Sequence, residues 1–323
     1  MRFYNIVIAD PVTGVTRAQY SSIRNDGLND PSALKVSFDI PFFNSASPAG
    51  LAYVKIYGVD FNDIAQARQL NGANIIVLGG MGQGLPLANP QQQGIILFGT
   101  IYQAFGNWQG TEISLDLVAA PFFGTESEPV NLSFVWERGV PLSDLVTRIL
   151  KQAFPASTVT GTYLSSLITY TPVQGFYKNI RQFADWVNTV SKDINRDPAY
   201  SGAQITQVAD GFKIYDGSAQ DNFKKLNFTD FIGNATWTSF DCINFKVMLR
   251  GDLAVGDYVQ MPPRSNIINV VNSFSQFRDN ISMQNNFLIT RIRHLGDSRQ
   301  PVADSWCTVI DAVVVPNDTQ ANQ

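Results

Sequence analysis

The segment LKVSFDI places Leu34, Val36, Phe38 and Ile40 on one face and Lys35, Ser37 and Asp39 on the other. That period of two is the mark of a half-buried strand. LAYVKIYGV follows after an Asn/Ser/Pro/Gly-rich break at 44–50, and then come NIIVLGG, GIILFGTIYQAF and TEISLDLVA, each punctuated by glycine or proline. Short strands with this spacing predict a closed or nearly closed antiparallel barrel.

The period then changes. In VPLSDLVTRILKQAFP, Leu142, Leu145, Val146, Ile149, Leu150 and Ala153 share one helical face, with Pro141 at the first turn and Pro155 beyond the end. In YKNIRQFADWVNTVSKDI, Ile180, Phe183, Ala184, Val187, Val190 and Ile194 build a second amphipathic helix. QITQVADGFKIYDG reads as a hairpin turning at Asp210-Gly211, a pair that tolerates positive φ. The β pattern returns in NFKVMLRGDLAVGDYVQMP, which holds two strands joined through Gly251–Gly256, and continues in NNFLITRIRH and SWCTVIDAVVVP. The expected architecture is mainly β with an inserted α+β unit. A first antiparallel barrel spans 1–128, the insert 129–222, and a second, similar barrel 223–323 with a polar tail.

GTEISLDLVAAP (110–121) and SWCTVIDAVVVP (305–316) support a duplication. Each has Asp at its seventh position, Asp116 and Asp311, and Pro at its twelfth, Pro121 and Pro316. Each follows another strand of similar apolar pattern, so hairpin matches hairpin.

Charged residues are only 15% of the chain, against roughly 25% in an average soluble domain. Aromatics are plentiful, with 22 Phe, 11 Tyr and 5 Trp. Few charges and many aromatics suit a large permanent interface. The net charge of −4 and the absence of a basic stripe exclude a nucleic-acid footprint. No stretch approaches the length of a membrane span, and the short apolar run of MRFYNIVIADP does not read as a signal peptide. Cys242 and Cys307 make neither a disulfide framework nor a zinc site, and two buried thiols are expected.

Candidate chemistry is sparse. GGMGQG (79–84) resembles a dinucleotide loop, but Pro86, Asn89 and Pro90 follow where a helix should open, so a glycine-rich rim loop is expected. The acidic GTESE (124–128) reads as a solvated loop. His294 is the only histidine, with Asp297 close behind it. A triad could be drawn with Asp297 or Asp304 and a serine, yet no Gly-x-Ser-x-Gly elbow is present. No nucleophile or base is set beside His294 by spacing. No enzyme activity, cofactor or metal is expected.

The series VKIYGV, GANIIVLGGMG and GIILFGTI resembles the first barrel of phage tail baseplate hub proteins, with Ile56-Tyr57, the helical turn DFNDIAQARQL, Ile75–Gly82 and Phe98–Ile101 as its pieces. The Gly-Asp-x-Val passage GDYV and the closing LITRIRHLGDSRQPVADSWCTVIDAV resemble the second barrel. There a His-x-Gly-Asp turn separates two strands before a Trp-x-Thr start, matched here by His294, Gly296, Asp297, Trp306 and Thr308. The resemblance implies that His294 and Asp297 shape a turn and that Trp306 anchors the strand beyond it. It implies a homotrimer whose six barrels give near-sixfold symmetry, joining the sixfold tail tube on one face and the threefold spike on the other. The implied partners are the spike or needle protein, the tail tube or distal tail protein, the tape-measure protein and baseplate wedge proteins. DNA would pass through the channel without specific binding, and no membrane anchor is implied. The place would be the virion's tail baseplate, assembled in the host cytoplasm. No fused needle, lysozyme or peptidase domain is expected after the second barrel. Two rivals stand beside it: a hexameric distal tail ring protein with one barrel, and a phage carbohydrate-binding or degrading β protein with exposed aromatics and paired carboxylates in a groove.

Overall fold

The computed structural model describes residues 2–43, 51–82, 89–121, 130–155, 157–162, 167–198, 200–208, 211–216, 223–239, 241–262 and 286–315. The chain divides into two compact units, one of residues 1–42, 50–121 and 223–323, the other of 43–49 and 122–222.

The first unit opens with β1 (Arg2–Ala9), β2 (Thr16–Ser21), β3 (Lys35–Phe43) and β4 (Ala52–Tyr57). A short helix α1 (Phe61–Ala65), capped by the Asp60 side chain on the Asn62 N–H, leads to β5 (Asn74–Met81), β6 (Gly94–Gln109) and β7 (Glu112–Pro121). The second unit holds β8 (Leu132–Trp136), α2 (Leu142–Ala153), β9 (Thr158–Thr162), β10 (Val173–Tyr177), α3 (Ile180–Asn195), β11 (Gln204–Val208) and β12 (Gly211–Tyr215). The chain returns to the first unit with β13 (Phe223–Lys225), β14 (Thr236–Trp237), β15 (Cys242–Met248), β16 (Tyr258–Gln260), β17 (Asn286–Asp297) and β18 (Trp306–Val314).

In the second unit both helices bury the faces that the periodicity marks. Leu142, Leu145, Val146, Ile149 and Leu150 of α2 and Phe183, Ala184 and Val187 of α3 share one core with Phe134, Trp136, Ile205, Phe212 and Ile214. The Asn179 side chain accepts the Gln182 N–H at 2.9 Å and the Gln182 side chain accepts the Lys178 N–H, satisfying donors that a helix start leaves open. Arg196 ends α3 in the left-handed region at φ 56°. β11 and β12 pair antiparallel, and β9 joins β12 in parallel. Asp210 of the expected turn lies outside the described residues, as do GTESE, Pro86 and Pro316.

In the first unit the strands form one 13-stranded sheet, in the order β14-β15-β18-β17-β3-β4-β7-β6-β5-β1-β2, with β16 added to β17 and β13 to β16. Two separate barrels were expected. Instead the two β regions share a sheet, joined where β17 pairs β3, and among the described residues pairing closes neither half into a barrel. The reason is strand length. β17 has 12 residues, β16 covers only its first three, and β3 takes the edge that remains. Alternation of faces defines strands but not which strands adjoin.

The two halves nevertheless repeat one plan. The run β3-β4-β7-β6-β5-β1 is matched in chain order by β14-β15-β18-β17-β16-β13. The departures are β2, which has no counterpart, and β13, which pairs β16 in parallel whereas β1 pairs β5 antiparallel. Backbone landmarks set the register. A bulge leaves Tyr102 extra on β6 after the Ile101–Ala119 pair, and another leaves Thr290 extra on β17 after the Ile289–Ala312 pair. Beside each bulge a glycine with positive φ donates to the strand. Gly72 (φ 81°) donates to the Ile101 carbonyl at 2.8 Å, and Gly256 (φ 82°) to that of Ile289 at 2.8 Å. In that register the counterpart of Asp311 is Val118, because Asp311 lies opposite Arg291 and Val118 opposite Gln103, each just past its bulge. The Asp116–Asp311 match read from the sequence is therefore two residues out of step. A slip of two keeps every side chain on its face, so the apolar pattern cannot reveal it.

Candidate functional site

Of the four residues picked out in the sequence, Asp297 opens the β17–β18 turn and Trp306 begins β18, whereas Gly296 and His294 lie within β17, so His294 does not shape the turn as expected. His294 is 2% exposed and its Nδ1 lies 3.0 Å from Thr308 Oγ1, with the Phe42 ring edge-on at 6.0 Å between centroids. Burial lowers its pKa to about 3, so the imidazole is neutral at neutral pH. Gly296 lies beneath the Phe38 ring, where a Cβ would collide. The Asp297 carboxylate accepts the N–H groups of Arg299 and Gln300 at 3.1 Å each, folding the turn, and pairs with Lys35 at 3.3 Å. Trp306 donates from Nε1 to the Gly80 carbonyl at 2.8 Å and packs against Phe38 at 5.1 Å, while Arg2 stacks over it and donates to the Asp297 and Gln300 carbonyls. Each group is engaged in holding β1, β3, β5, β17 and β18 together. The polar partner of His294 is Thr308, whose hydroxyl is bonded in turn to the Arg250 N–H.

A buried polar chain that sequence reading missed runs onward from His294. Thr308 Oγ1 accepts the Arg250 N–H at 3.1 Å. The Arg250 guanidinium, its side chain 6% exposed, meets Asp230 at 3.1 Å and Asp252 through two bonds of 2.7 Å. Gln92, before β6, donates to Asp230 at 3.1 Å, and its carbonyl accepts the Gly251 N–H at 2.8 Å. Gly251 and Gly94 are packed backbone to backbone, so neither tolerates a Cβ. The fork of Arg250 pairs with carboxylates at both ends, which is what a buried guanidinium requires. The local signal was the Arg-Gly-Asp run at 250–252. Its partner Asp230 lies 20 residues before it, and Gln92 lies 138 residues before Asp230.

The surface feature that stands out is the β6–β7 hairpin. Tyr102, Phe105 and Trp108 are 62%, 40% and 66% exposed. Phe61 of α1, 57% exposed, meets Trp108 edge-on at 5.4 Å. α1 rests on β6 over Gly106, where only a missing Cβ makes room for Ile64. Large apolar side chains left out of a core in such a cluster mark an interaction surface. Among the described residues no group of three or more His, Cys, Asp or Glu is placed to hold a metal ion. Cys307 is buried, and burial pushes its thiol up to about 11, whereas Cys242 is only partly buried. No helix is long and apolar enough to cross a membrane among the described residues.

Solved structures are similar to this chain in fold. The prophage MuSo2 43 kDa tail protein from Shewanella oneidensis matches 98% of this chain and 99% of its own with a TM-score of 0.54 at 9% identity. The fold is similar to that of this tail protein. The E. coli c3393 protein, a component of the type VI secretion system described as structurally similar to T4 bacteriophage tail proteins gp27 and gp5, matches 89% of this chain and 76% of its own, with a TM-score of 0.50 at 9% identity. No family profile matches the sequence, and no curated protein matches it. At such identities the likeness to tail proteins is one of backbone course.

Proposed function

We propose that this chain is a structural hub of a phage tail and not an enzyme. It acts as a homotrimer in which the two repeats of each copy alternate as six barrel-like elements of one ring. The ring matches the sixfold tail tube on one face and holds a threefold spike on the other. Its central channel passes DNA without binding it, in keeping with a net charge of −4. Neighbours in the assembly are the spike, the tube or distal tail protein, the tape-measure protein and the baseplate wedge, in a virion baseplate assembled in the host cytoplasm. One observation carries the reading: the same six-strand pairing order occurs twice in one chain. A threefold object built from such chains presents nearly equivalent surfaces six times, which one repeat per chain could not do.

Native mass spectrometry of the full chain, alone and with its spike, tests it. The expected particle is about 107 kDa, three copies of a 35.6 kDa chain. A stable hexamer would favour a distal tail ring instead. Turnover of peptidoglycan or polysaccharide that disappears with a single carboxylate substitution would favour the carbohydrate-degrading alternative.

A further inference from the structure

The two repeats part company after the first strand of each. In the first repeat, residues 10–34 lead from β1 to β3 and build the hairpin of β1 with β2. In the second, residues 226–235 lead from β13 to β14; all of them are described, and they form one short 3-10 turn (Phe228–Asp230) and no hairpin. The β1–β2 hairpin is therefore an arm that occurs once per chain, whereas the six-strand plan occurs twice.

The tip of this arm is locked in shape. The Asp10 carboxylate accepts the N–H groups of Val12 at 3.0 Å and Thr13 at 2.9 Å. The Asp10 N–H donates to the Val15 carbonyl at 2.8 Å, and Gly14, at φ 70°, donates to the Asp10 carbonyl at 3.0 Å. Arg17 clamps the base, with one guanidinium nitrogen on the Asp10 carboxylate and the other on the Gln69 carbonyl at 2.8 Å. Asp10, Gly14 and Arg17 supply the conformation. The side chains of Val12 and Val15 take no part in these bonds, yet they stand 91% and 63% exposed at the tip. Turn positions go to Gly, Pro, Asn, Asp or Ser for backbone reasons, and a β-branched apolar residue meets none of them. The only charges among residues 10–17, Asp10 and Arg17, neutralise each other. Such a tip fits an apolar protein surface and not a nucleic acid. Because it is already ordered, it gives up little freedom on docking.

Symmetry selects the partner. In the homotrimer proposed above, features common to both repeats recur six times around the axis, and the arm recurs three times. A sixfold ring would meet an arm at alternate subunits only, so half of its equivalent sites would stay empty. A threefold partner meets one arm per subunit. We propose that the β1–β2 arm is the docking element for the threefold spike, with Val12 and Val15 seated in an apolar pocket on each spike subunit. The inference rests on the hub reading and adds to it the site that distinguishes spike from tube.

The test uses the full chain with the spike protein and the tail-tube protein of the same virion. Val12 is replaced with photoreactive p-benzoylphenylalanine, and the assembly of all three proteins is irradiated. Crosslinks from position 12 to spike peptides are expected. In parallel, the double variant Val12→Asp, Val15→Asp should raise the dissociation constant for the spike by about 30-fold or more, the scale of an interface hot spot. Trimer mass, tube binding and melting temperature should stay unchanged, because both side chains are exposed. Crosslinks to the tube or to a second copy of this chain would overturn the inference and leave the hub reading in place. So would a spike affinity that the double variant leaves unaltered, or a trimer that the double variant dissolves. A wild-type chain that neither forms a trimer nor takes up the spike would overturn both.

Discussion

His294 shows what burial does to a residue that in sequence looks chemical. Its ring is enclosed, neutral and bonded to Thr308. Its folded pKa, about 3, is below the unfolded value of 6.5, so protons bind the unfolded chain first. The stability it contributes is full above pH 6.5 and is lost as pH falls toward 3, by up to a few kcal/mol. Thermal melts from pH 7 to 4 should show this fall, and His294→Gln should flatten it; an unchanged slope would mean that other groups dominate. His294→Ala should cost about 2–4 kcal/mol, more than its turn-like sequence context suggests, because it opens a cavity and strips Thr308 of a partner. Arg250→Ala leaves Asp230 and Asp252 facing each other without their cation and should cost about 3–5 kcal/mol in urea unfolding. Sequence reading expected His294 and Asp297 to shape a turn; Asp297 bonds the turn N–H groups, whereas His294 lies inside β17 opposite Thr308. Sequence reading missed Arg250, because Gln92 and Asp230 reach it only through the fold.

Among the elements, the helices were the most legible. α2 and α3 form where the 3.6-residue pattern marks them, and their marked faces are buried. Asn179→Ala should cost about 1 kcal/mol, the usual worth of an N-cap, measured by the shift in denaturation midpoint at constant m-value. Strands were legible as segments, since Lys35–Phe43 and Trp306–Val314 coincide with alternating runs. Their neighbours were not. Gly296→Ala probes one such neighbour relation. A Cβ there meets the Phe38 ring, so a loss of about 1–3 kcal/mol is expected. Phe38→Leu should recover part of that loss in a double-mutant cycle. Equal losses in both backgrounds would show that the contact is not the cause.

At the scale of the molecule, the second unit has its own core of two helices and small sheets. Residues 122–222 expressed alone should therefore unfold cooperatively, as an independent domain does. A gradual, non-cooperative melt would show that it depends on the rest of the chain. The sequence by itself determined the segments and their faces: alternation and helical period follow from local geometry, and burial then obeys them. It also determined that the chain is poor in charge and rich in aromatics, a composition that suits a large permanent interface. Only the tertiary structure decided that the two β regions share one sheet, that Val118 and not Asp116 corresponds to Asp311, and that Trp108 stands exposed on β6. The reason is common to the first two. A side-chain pattern with period two is unchanged by a slip of two residues and by an exchange of neighbouring strands, whereas backbone hydrogen bonds fix both.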